Sequence, residues 1–527
     1  MKPDLPLPGK KPQQRPAPAA ITPIQLGDQR LPGVLFAPDT TSNPATFSVQ
    51  PTQHPYIAHV ATDDQSRSAH IRDALLAQIR AASDKVMFCS FLFADDQIVT
   101  ALCEAAERLH GGVYILTALD KHLRQEVLAL DEPIDMQTKK LQERARRHDE
   151  HLRRLAQAGA WLRSAEDCHA KFCVVDDACA IVTSANATQE AYESNPEDGL
   201  ILQHGATARE FGRLFAHIWQ QLTTLESLPG ASLDVGTLPA PPLTPWRALE
   251  HTGPARAVTT LRGHENSLLD AALQMIGRAH HRLTIASYSF MGMQEHPLGT
   301  ALAQALMRGV TIDLLIQPRN HIEAQRDDLG WLLGLAPGQV RIHGHRRTHT
   351  KSIVADEQAV LLWTGNLDAR HGWYDGIEVG VVVEDQGVAA AVAHWTRNVM
   401  ARRTGQTLAT PSVRQLAAAG MAPALPGDWD LRLPPRTEAA PVIAALSQHP
   451  VELVDAPGEQ RLRCTNGLTL LVRIDHQRRR LDVQRIQHAA SGAGGRAKGW
   501  LTDGTLRVRV LTPSPQAQQP RHNKGQR

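Results

Sequence analysis

Residues 168–186 read CHAKFCVVDDACAIVTSAN, and residues 349–366 read HTKSIVADEQAVLLWTGN. Each stretch sets a lysine two residues after a histidine (His169 and Lys171, His349 and Lys351). Each sets an aspartate five residues after the lysine (Asp176, Asp356) and an asparagine ten residues after the aspartate (Asn186, Asn366). Twelve residues past each asparagine stands a carboxylate, Asp198 in the first copy and Glu378 in the second. Working outward, the surroundings repeat as well. KVMFCSFLF (85–93) aligns with RLTIASYSF (282–290), pairing Ser90 with Ser287, and the same offset pairs Gly112-Val113 with Gly309-Val310. The interval from serine to motif histidine is longer in the first copy (Ser90 to His169) than in the second (Ser287 to His349), and the excess falls around a charged helix. The chain carries an internal duplication.

The elements around the motifs follow from apolar spacing. Helices are expected at 71–83, 98–112 and 137–159, with strands at 85–93, 113–119 and 160–164. Gly111 and Gly112 stop the second helix. KFCVV and CAIVTSA are apolar and β-branched enough for a two-stranded hairpin carrying the first motif. REFGRLFAHIWQQLTTL (209–225) reads as the helix closing the first half, and AAAVAHWTRNVMARRT (389–404) as the helix closing the second. Alternating helices and strands predict an α/β fold: two pseudo-two-fold-related halves with mainly parallel mixed sheets, plus a small β-rich C-terminal module.

The expected boundaries are a Pro-rich, largely disordered lead-in at 1–63, a first half at 64–226, a linker at 227–256 with six prolines, and a second half at 257–410. A basic β-rich module at 411–513 and a disordered polar tail at 514–527 complete the chain. In the module, 466–487 reads as two strands around a turn and 505–511 as a third.

The doubled motif resembles that of the phospholipase D superfamily, His-x-Lys-x4-Asp-x6-Gly-Ser-x-Asn, over roughly residues 65–400. On a strand, residues i and i+2 share a face, so each histidine and its lysine point the same way. Two copies related by a pseudo-two-fold bring both pairs to one cleft, around a single phosphodiester. The resemblance implies that one imidazole attacks phosphorus while the other protonates the leaving oxygen and then activates water or an alcohol. It favours His169 as the nucleophile. Lys171, Lys351, Asn186 and Asn366 would hold the non-bridging oxygens. Ser184 and Thr364 are candidate hydroxyl donors to the substrate, and Asp198 and Glu378 are candidates to accept from the ring N–H remote from phosphorus. In the family the motif aspartate is structural, which carries over to Asp176 and Asp356, and no metal or other cofactor is needed.

The sequence departs from the pattern at two places. Gly-Ser-x-Asn is Thr183-Ser184-Ala185-Asn186 in the first copy and Trp363-Thr364-Gly365-Asn366 in the second. Trp363, a large ring in place of glycine, is expected to narrow the cleft or shift its hairpin. Cys173 reads as a strand filler, and His343, His345 and His371 as incidental.

Composition bounds the partners. The 527 residues are 42% hydrophobic and 21% charged, an ordinary globular composition. Net charge is +2, yet residues 411–527 hold 17 Lys/Arg against 9 Asp/Glu, a balance of 17 − 9 = +8. Residues 51–410 hold 34 against 42, or −8. A basic module on an acidic body points to an anionic partner, and Arg478, Arg479 and Arg480 stand at its charged turn. The six cysteines match no zinc spacing, and neither a signal peptide nor a run of about 18 apolar residues is present, so a cytoplasmic protein with reduced thiols and no transmembrane segment is expected. Both motifs lie in one chain, so the site needs no oligomer. The expected activity is a metal-independent phosphodiesterase, with nucleic acid the slightly favoured substrate. A phospholipase or cardiolipin-synthase-like phosphatidyl transferase is the alternative, and an inactive or partner-gated binding module the third reading.

Overall fold

The computed structural model describes residues 52–62, 70–120 and 138–402 almost continuously, excepting 243, 249–252, 320, 321 and 337, together with isolated strands before and after. Of the lead-in expected to be largely disordered at 1–63, residues 1–21 lie outside the described residues, as does the tail 514–527, while Thr22–Gln25 and Leu35–Pro38 are strands. Residues 33–409 form one compact unit holding both motifs, and 1–32 with 410–527 form another.

The motif-bearing unit contains two large mixed sheets with helices, one per half, and the α/β expectation holds. In the first half, Lys85–Cys89, Gly112–Leu116 and Trp161–Ala165 pair in parallel. Their twins Arg282–Ser287, Thr311–Ile316 and Val340–Gly344 do the same. Parallel pairing is confined to these crossover units within the large sheets. The motif hairpins, Phe172–Val175 with Cys179–Thr183 and Ser352–Ala355 with Ala359–Trp363, are antiparallel, as are the strands beyond them. The expected predominance of parallel pairing therefore stops at the hairpins.

Local sequence explains the elements. Asp95 accepts from the backbone N–H of Gln97 and Ile98 and caps the helix Asp96–Arg108, whose Ile98, Val99, Leu102 and Ala105 are buried. Gly112, at φ 81°, and Gly309, at φ 90°, supply the left-handed turn out of each second helix. Val113 nevertheless lies opposite Val86, whereas Ile312 lies opposite Leu283, so the twin of Val113 is Ile312 rather than Val310. The loop at 291–296 is longer than its counterpart and shifts the register of the repeat. The charged helix Thr138–Gln157 has 20 residues and its twin Glu323–Leu335 has 13, which places part of the first half's extra length there. Its exposed face is laced by Arg147–Glu143 and Arg146–Glu150 pairs, while His148 and His151 turn inward to the backbone of Phe93.

Three boundaries move. Ile57–Thr62, expected in the disordered lead-in, is the edge strand of the first sheet and pairs with Glu197–Leu202. Its twin Ala255–Leu261 pairs with Ile377–Val383 and begins inside the expected linker. The helix expected over 209–225 runs Gly205–His217, loosens through Ile218–Leu222 and becomes the strand Thr223–Ser227. Arg163 ends it: its guanidinium donates to the Trp219 carbonyl (2.8 Å) and lies 4.8 Å over the Trp219 ring.

The halves share a core. Phe172, Val182, Leu200, Phe211 and Phe215 of the first pack in one cluster with Val354, Leu362, Val379 and Val388 of the second. In the other unit, Thr469–Asp475, Arg480–Gln487 and Thr505–Leu511 belong to an eight-stranded sheet, matching the three strands expected there.

Candidate active site

Asp176 and Asp356 build the hairpin ends. Asp176 and Asp177 sit at φ 52°, as Asp356 and Glu357 sit at 52° and 56°, the left-handed pair that a tight hairpin requires. The Asp176 carboxylate accepts from the backbone N–H of Ser83 (2.5 Å), Asp84 (2.9 Å) and Lys85 (2.8 Å). Asp356 does the same for His280, His281 and Arg282. Burial would raise both carboxyls, but the N–H donors outweigh it and hold them below the ordinary value. Each aspartate ties its hairpin to the start of the neighbouring parallel strand.

That anchoring leaves the two motif histidines on the extended segments just before Phe172–Val175 and Ser352–Ala355, not within the strands as expected. Lys171 Nζ bends back to the His169 carbonyl (2.5 Å), and Lys351 Nζ to the His349 carbonyl (2.8 Å). Lys351 Nζ also lies 3.0 Å from His349 Nδ1 and 2.9 Å from Nε2. Both lysines are fully buried.

The carboxylates cross between halves. His169 Nδ1 is 2.9 Å from Glu378 Oε1, and His349 Nδ1 is 3.0 Å from Glu197 Oε1. With Nδ1–H donating to a carboxylate, the neutral ring carries its lone pair on Nε2. Backbone contacts bring the segments together: His169 N–H donates to the Ile377 carbonyl (3.0 Å) and His349 N–H to the Pro196 carbonyl (2.9 Å). Burial would raise Glu378 and Glu197. The opposed imidazoles and the lysines Lys171 and Lys351 outweigh it, so both carboxyls titrate below their ordinary value.

Glu197, not Asp198, is therefore the first-half carboxylate. The step from Asn186 to Glu197 is one residue shorter than that from Asn366 to Glu378, because Glu197 opens its strand while Glu378 is second in its own, so counting from the asparagine overshoots. Glu197-Asp198-Gly199 matches Glu378-Val379-Gly380, and Gly199 and Gly380 lie opposite Thr183 and Trp363. Counting back from the glycines identifies Glu197. Asp198 occupies the place of Val379, fully buried, with its Oδ1 3.5 Å from the Lys351 backbone nitrogen. Burial, reinforced by Glu197, pushes its carboxyl up to about 7 from 3.8. A carboxyl raised in this way binds its proton more tightly when folded than when unfolded. The stability linked to that proton is present at low pH and lost as pH rises from about 4 towards about 7. Asp198→Val, copying the second half, is expected to be more stable than the native chain at pH 8. The gain is at most about 4 kcal/mol, at about 1.4 kcal/mol per pKa unit, and shrinks towards pH 5. Urea unfolding at the two pH values measures it, and an equal difference at both would sink the assignment.

Ser184 and Thr364 are not placed as substrate donors. Ser184 Oγ donates to Glu197 Oε2 (2.5 Å) and accepts from Asp198 N–H, while Thr364 Oγ1 donates to Glu378 Oε2 (2.5 Å) and accepts from Val379 N–H. Both are fully buried. Each hydroxyl proton is spent on fixing the second oxygen of a carboxylate. Asn186 and Asn366 are half-buried, and the Oδ1 of each meets no partner among the described residues. Ser90 and Ser287 brace them: Ser90 Oγ accepts from Ala187 N–H and Ser287 Oγ from Leu367 N–H, the residues following the two asparagines.

Trp363 does not narrow the cleft. It is fully buried in the second half's own core, 5.8 Å from the Trp373 ring centroid, with Gly380 opposite leaving room for it. Gly365 holds the close approach instead, since a Cβ there would meet Glu378 Cδ at 2.9 Å. Trp363→Ala is expected to cost about 3–5 kcal/mol of stability through the cavity it leaves, read as a lowered denaturant midpoint. Cys173 is likewise a core residue.

Two aromatics went unseen in the sequence. Phe91 lies 6.4 Å from the His169 ring, and Tyr288 stands edge-on to His349 at 5.2 Å. They are the residues after Ser90 and Ser287, so the repeat itself carried the signal. Arg319 lies 4.5 Å over Tyr288, placing a buried cation behind the second histidine.

Comparison with known proteins places this geometry in a class. The family described as cardiolipin synthase, PLD-like domain, matches residues 75–219 and 272–400, one block in each half. The chain belongs to this phospholipase D-like family. It is 24% identical over 238 residues to cardiolipin synthase A of Shigella flexneri, covering 43% of this chain and 46% of that protein. The chain thus matches about half the length of that curated relative. Among solved structures, phosphatidylserine synthase from Haemophilus influenzae Rd KW20 superposes with a TM-score of 0.50 at 14% identity, covering 68% of this chain and 88% of the other. Nuc of Salmonella typhimurium, a phospholipase D family member, covers 32% of this chain and 97% of its own at 21% identity, with a TM-score of 0.24. No helix among the described residues is long and apolar enough to cross a membrane.

Proposed function

We propose that this enzyme transfers a phosphatidyl group between alcohols through a phosphohistidine. The observation that carries the chemistry is the crossed pair, His169 on Glu378 and His349 on Glu197. Each carboxylate holds its ring in the tautomer that presents Nε2 to phosphorus or to a proton. His169 Nε2 forms the bond to phosphorus. The P–O bond to the leaving alcohol breaks, and His349, protonated at Nε2, gives that oxygen its proton. The incoming alcohol then loses a proton to His349 and displaces His169. Lys171, Lys351, Asn186 and Asn366 offset charge on the non-bridging oxygens. Lipid as the substrate class draws on the phospholipid synthases among the relatives.

Nucleic-acid hydrolysis is the second reading, and the C-terminal sheet favours it. Residues 411–527 carry 17 Lys/Arg against 9 Asp/Glu, an excess of positive charge suited to a phosphate backbone. The test offers EDTA-treated enzyme phosphatidylglycerol vesicles with isotope-labelled glycerol, single- and double-stranded DNA, RNA, and bis(p-nitrophenyl) phosphate. Lipid transfer without nucleic-acid cleavage is the expected result. Cleavage of nucleic acid alone would replace the first reading with the second.

A further inference from the structure

The first half carries a feature beside its histidine that the second half lacks. Cys89 Sγ and Cys168 Sγ lie 3.7 Å apart. Cys89 ends the strand Lys85–Cys89, is buried, and also lies 3.2 Å from the Ala170 carbonyl. Cys168 is partly exposed and directly precedes His169. The main chain around Cys168 bridges to Ile377, through Ile377 N–H to the Asp167 carbonyl (3.0 Å) and His169 N–H to the Ile377 carbonyl (3.0 Å). Ile377 in turn precedes Glu378. The peptide that carries Cys168 is thus the one that aligns His169 with its carboxylate.

The second half holds Ala286 and Thr348 at the matching positions, so the fold does not need sulfur there. We propose that Cys89 and Cys168 form a peroxide-responsive dithiol, whose oxidation to a disulfide draws His169 away from Glu378 and silences the site. The silencing rests on the catalytic reading of His169; the disulfide does not.

The step balances. Cys168 sulfur attacks one peroxide oxygen, the O–O bond breaks, and a sulfenic acid and water result. Cys89 sulfur then attacks the Cys168 sulfur and expels a second water. In sum two thiols and one hydrogen peroxide give one disulfide and two waters, with two electrons passing from sulfur to oxygen. The hydrogen bond from Cys89 lowers the Cys168 thiol below its ordinary value, and burial pushes Cys89 well above, which suits Cys168 as the attacking and Cys89 as the resolving sulfur. The sulfurs now stand 3.7 Å apart. A disulfide needs them at about 2.05 Å, so they must close by about 1.7 Å. The partly exposed Cys168 segment lies outside the strands and is the side expected to move, carrying its two backbone hydrogen bonds to Ile377 with it.

The full-length protein is reduced, exposed to a few equivalents of hydrogen peroxide, alkylated and digested. A peptide pair joining Cys89 to Cys168 is expected, with at least about a tenfold loss of bis(p-nitrophenyl) phosphate turnover, recovered with dithiothreitol. The double variant Cys89→Ala, Cys168→Thr, which copies the second half, is expected to keep its activity and ignore peroxide. The His169 imidazole resonance, assigned by its loss in His169→Asn, is expected to shift on oxidation in the native chain alone. Oxidation of other cysteines without the linked pair would overturn the proposal, and so would a linked pair with an unmoved His169 resonance. Neither readout needs turnover, so a chain inert on every diester would count against the proposed function and leave the dithiol to be judged on these two.

Discussion

Replacing His169 by Asn is expected to lower turnover of bis(p-nitrophenyl) phosphate by at least about 10⁴-fold, the scale seen when a nucleophile acting as part of a unit is removed. His349→Asn is expected to lose as much steady-state turnover but to fail at a different step. p-Nitrophenolate leaves without a proton, so the acid is dispensable for the first half-reaction. The His349→Asn enzyme should release about one equivalent of nitrophenolate in a burst and accumulate a covalent adduct, visible as added mass on the peptide containing His169. His169→Asn should give neither burst nor adduct. A burst from His169→Asn with adduct on His349 would reverse the roles, and near-native turnover in either variant would remove the histidines from the chemistry.

The second large effect comes from the crossed carboxylates. Glu378→Gln and Glu197→Gln are each expected to lower kcat by about 10²-fold, as the loss of an orienting partner typically does. The amide can still meet the ring, but it no longer favours an imidazolium or fixes the tautomer. The step affected should follow the ring and not the half of origin: Glu378→Gln should slow formation of the adduct on His169, and Glu197→Gln should slow its breakdown. Asp198→Asn is expected to leave kcat within a few-fold. If Asp198→Asn proved as damaging as Glu197→Gln, the structural assignment of Glu197 would be the one to abandon.

These expectations show where the sequence was informative. His169, Lys171, Asp176 and Asn186, with their twins, were legible because short local segments hold them at fixed spacing, and spacing survives duplication. Glu197 was not, because it opens its strand while Glu378 is second in its own, a difference that the spacing from the asparagine does not carry. The roles of Ser184 and Thr364 were misjudged for a related reason: a hydroxyl beside a reactive asparagine looks available until the buried carboxylate that takes its proton is seen. Trp363 was read against a glycine pattern, yet its room is made by Gly380 on the adjacent strand, a compensation that no local window contains. Ile57–Thr62 escaped for want of its partner, since an edge strand is defined by Glu197–Leu202, far along the chain. The helix over 209–225 followed its apolar spacing until Arg163 intervened from another strand.

The exchange of carboxylates between the halves also bears on how the molecule matures after synthesis. Within either half alone the histidine lacks its glutamate, because that glutamate belongs to the other half. Competence arrives only when the shared core of Val182, Leu200, Val354 and Val379 closes. On refolding from urea, activity is therefore expected to return with the closure of that core and not before it. A substitution that opens that seam is expected to part both histidines from their carboxylates together.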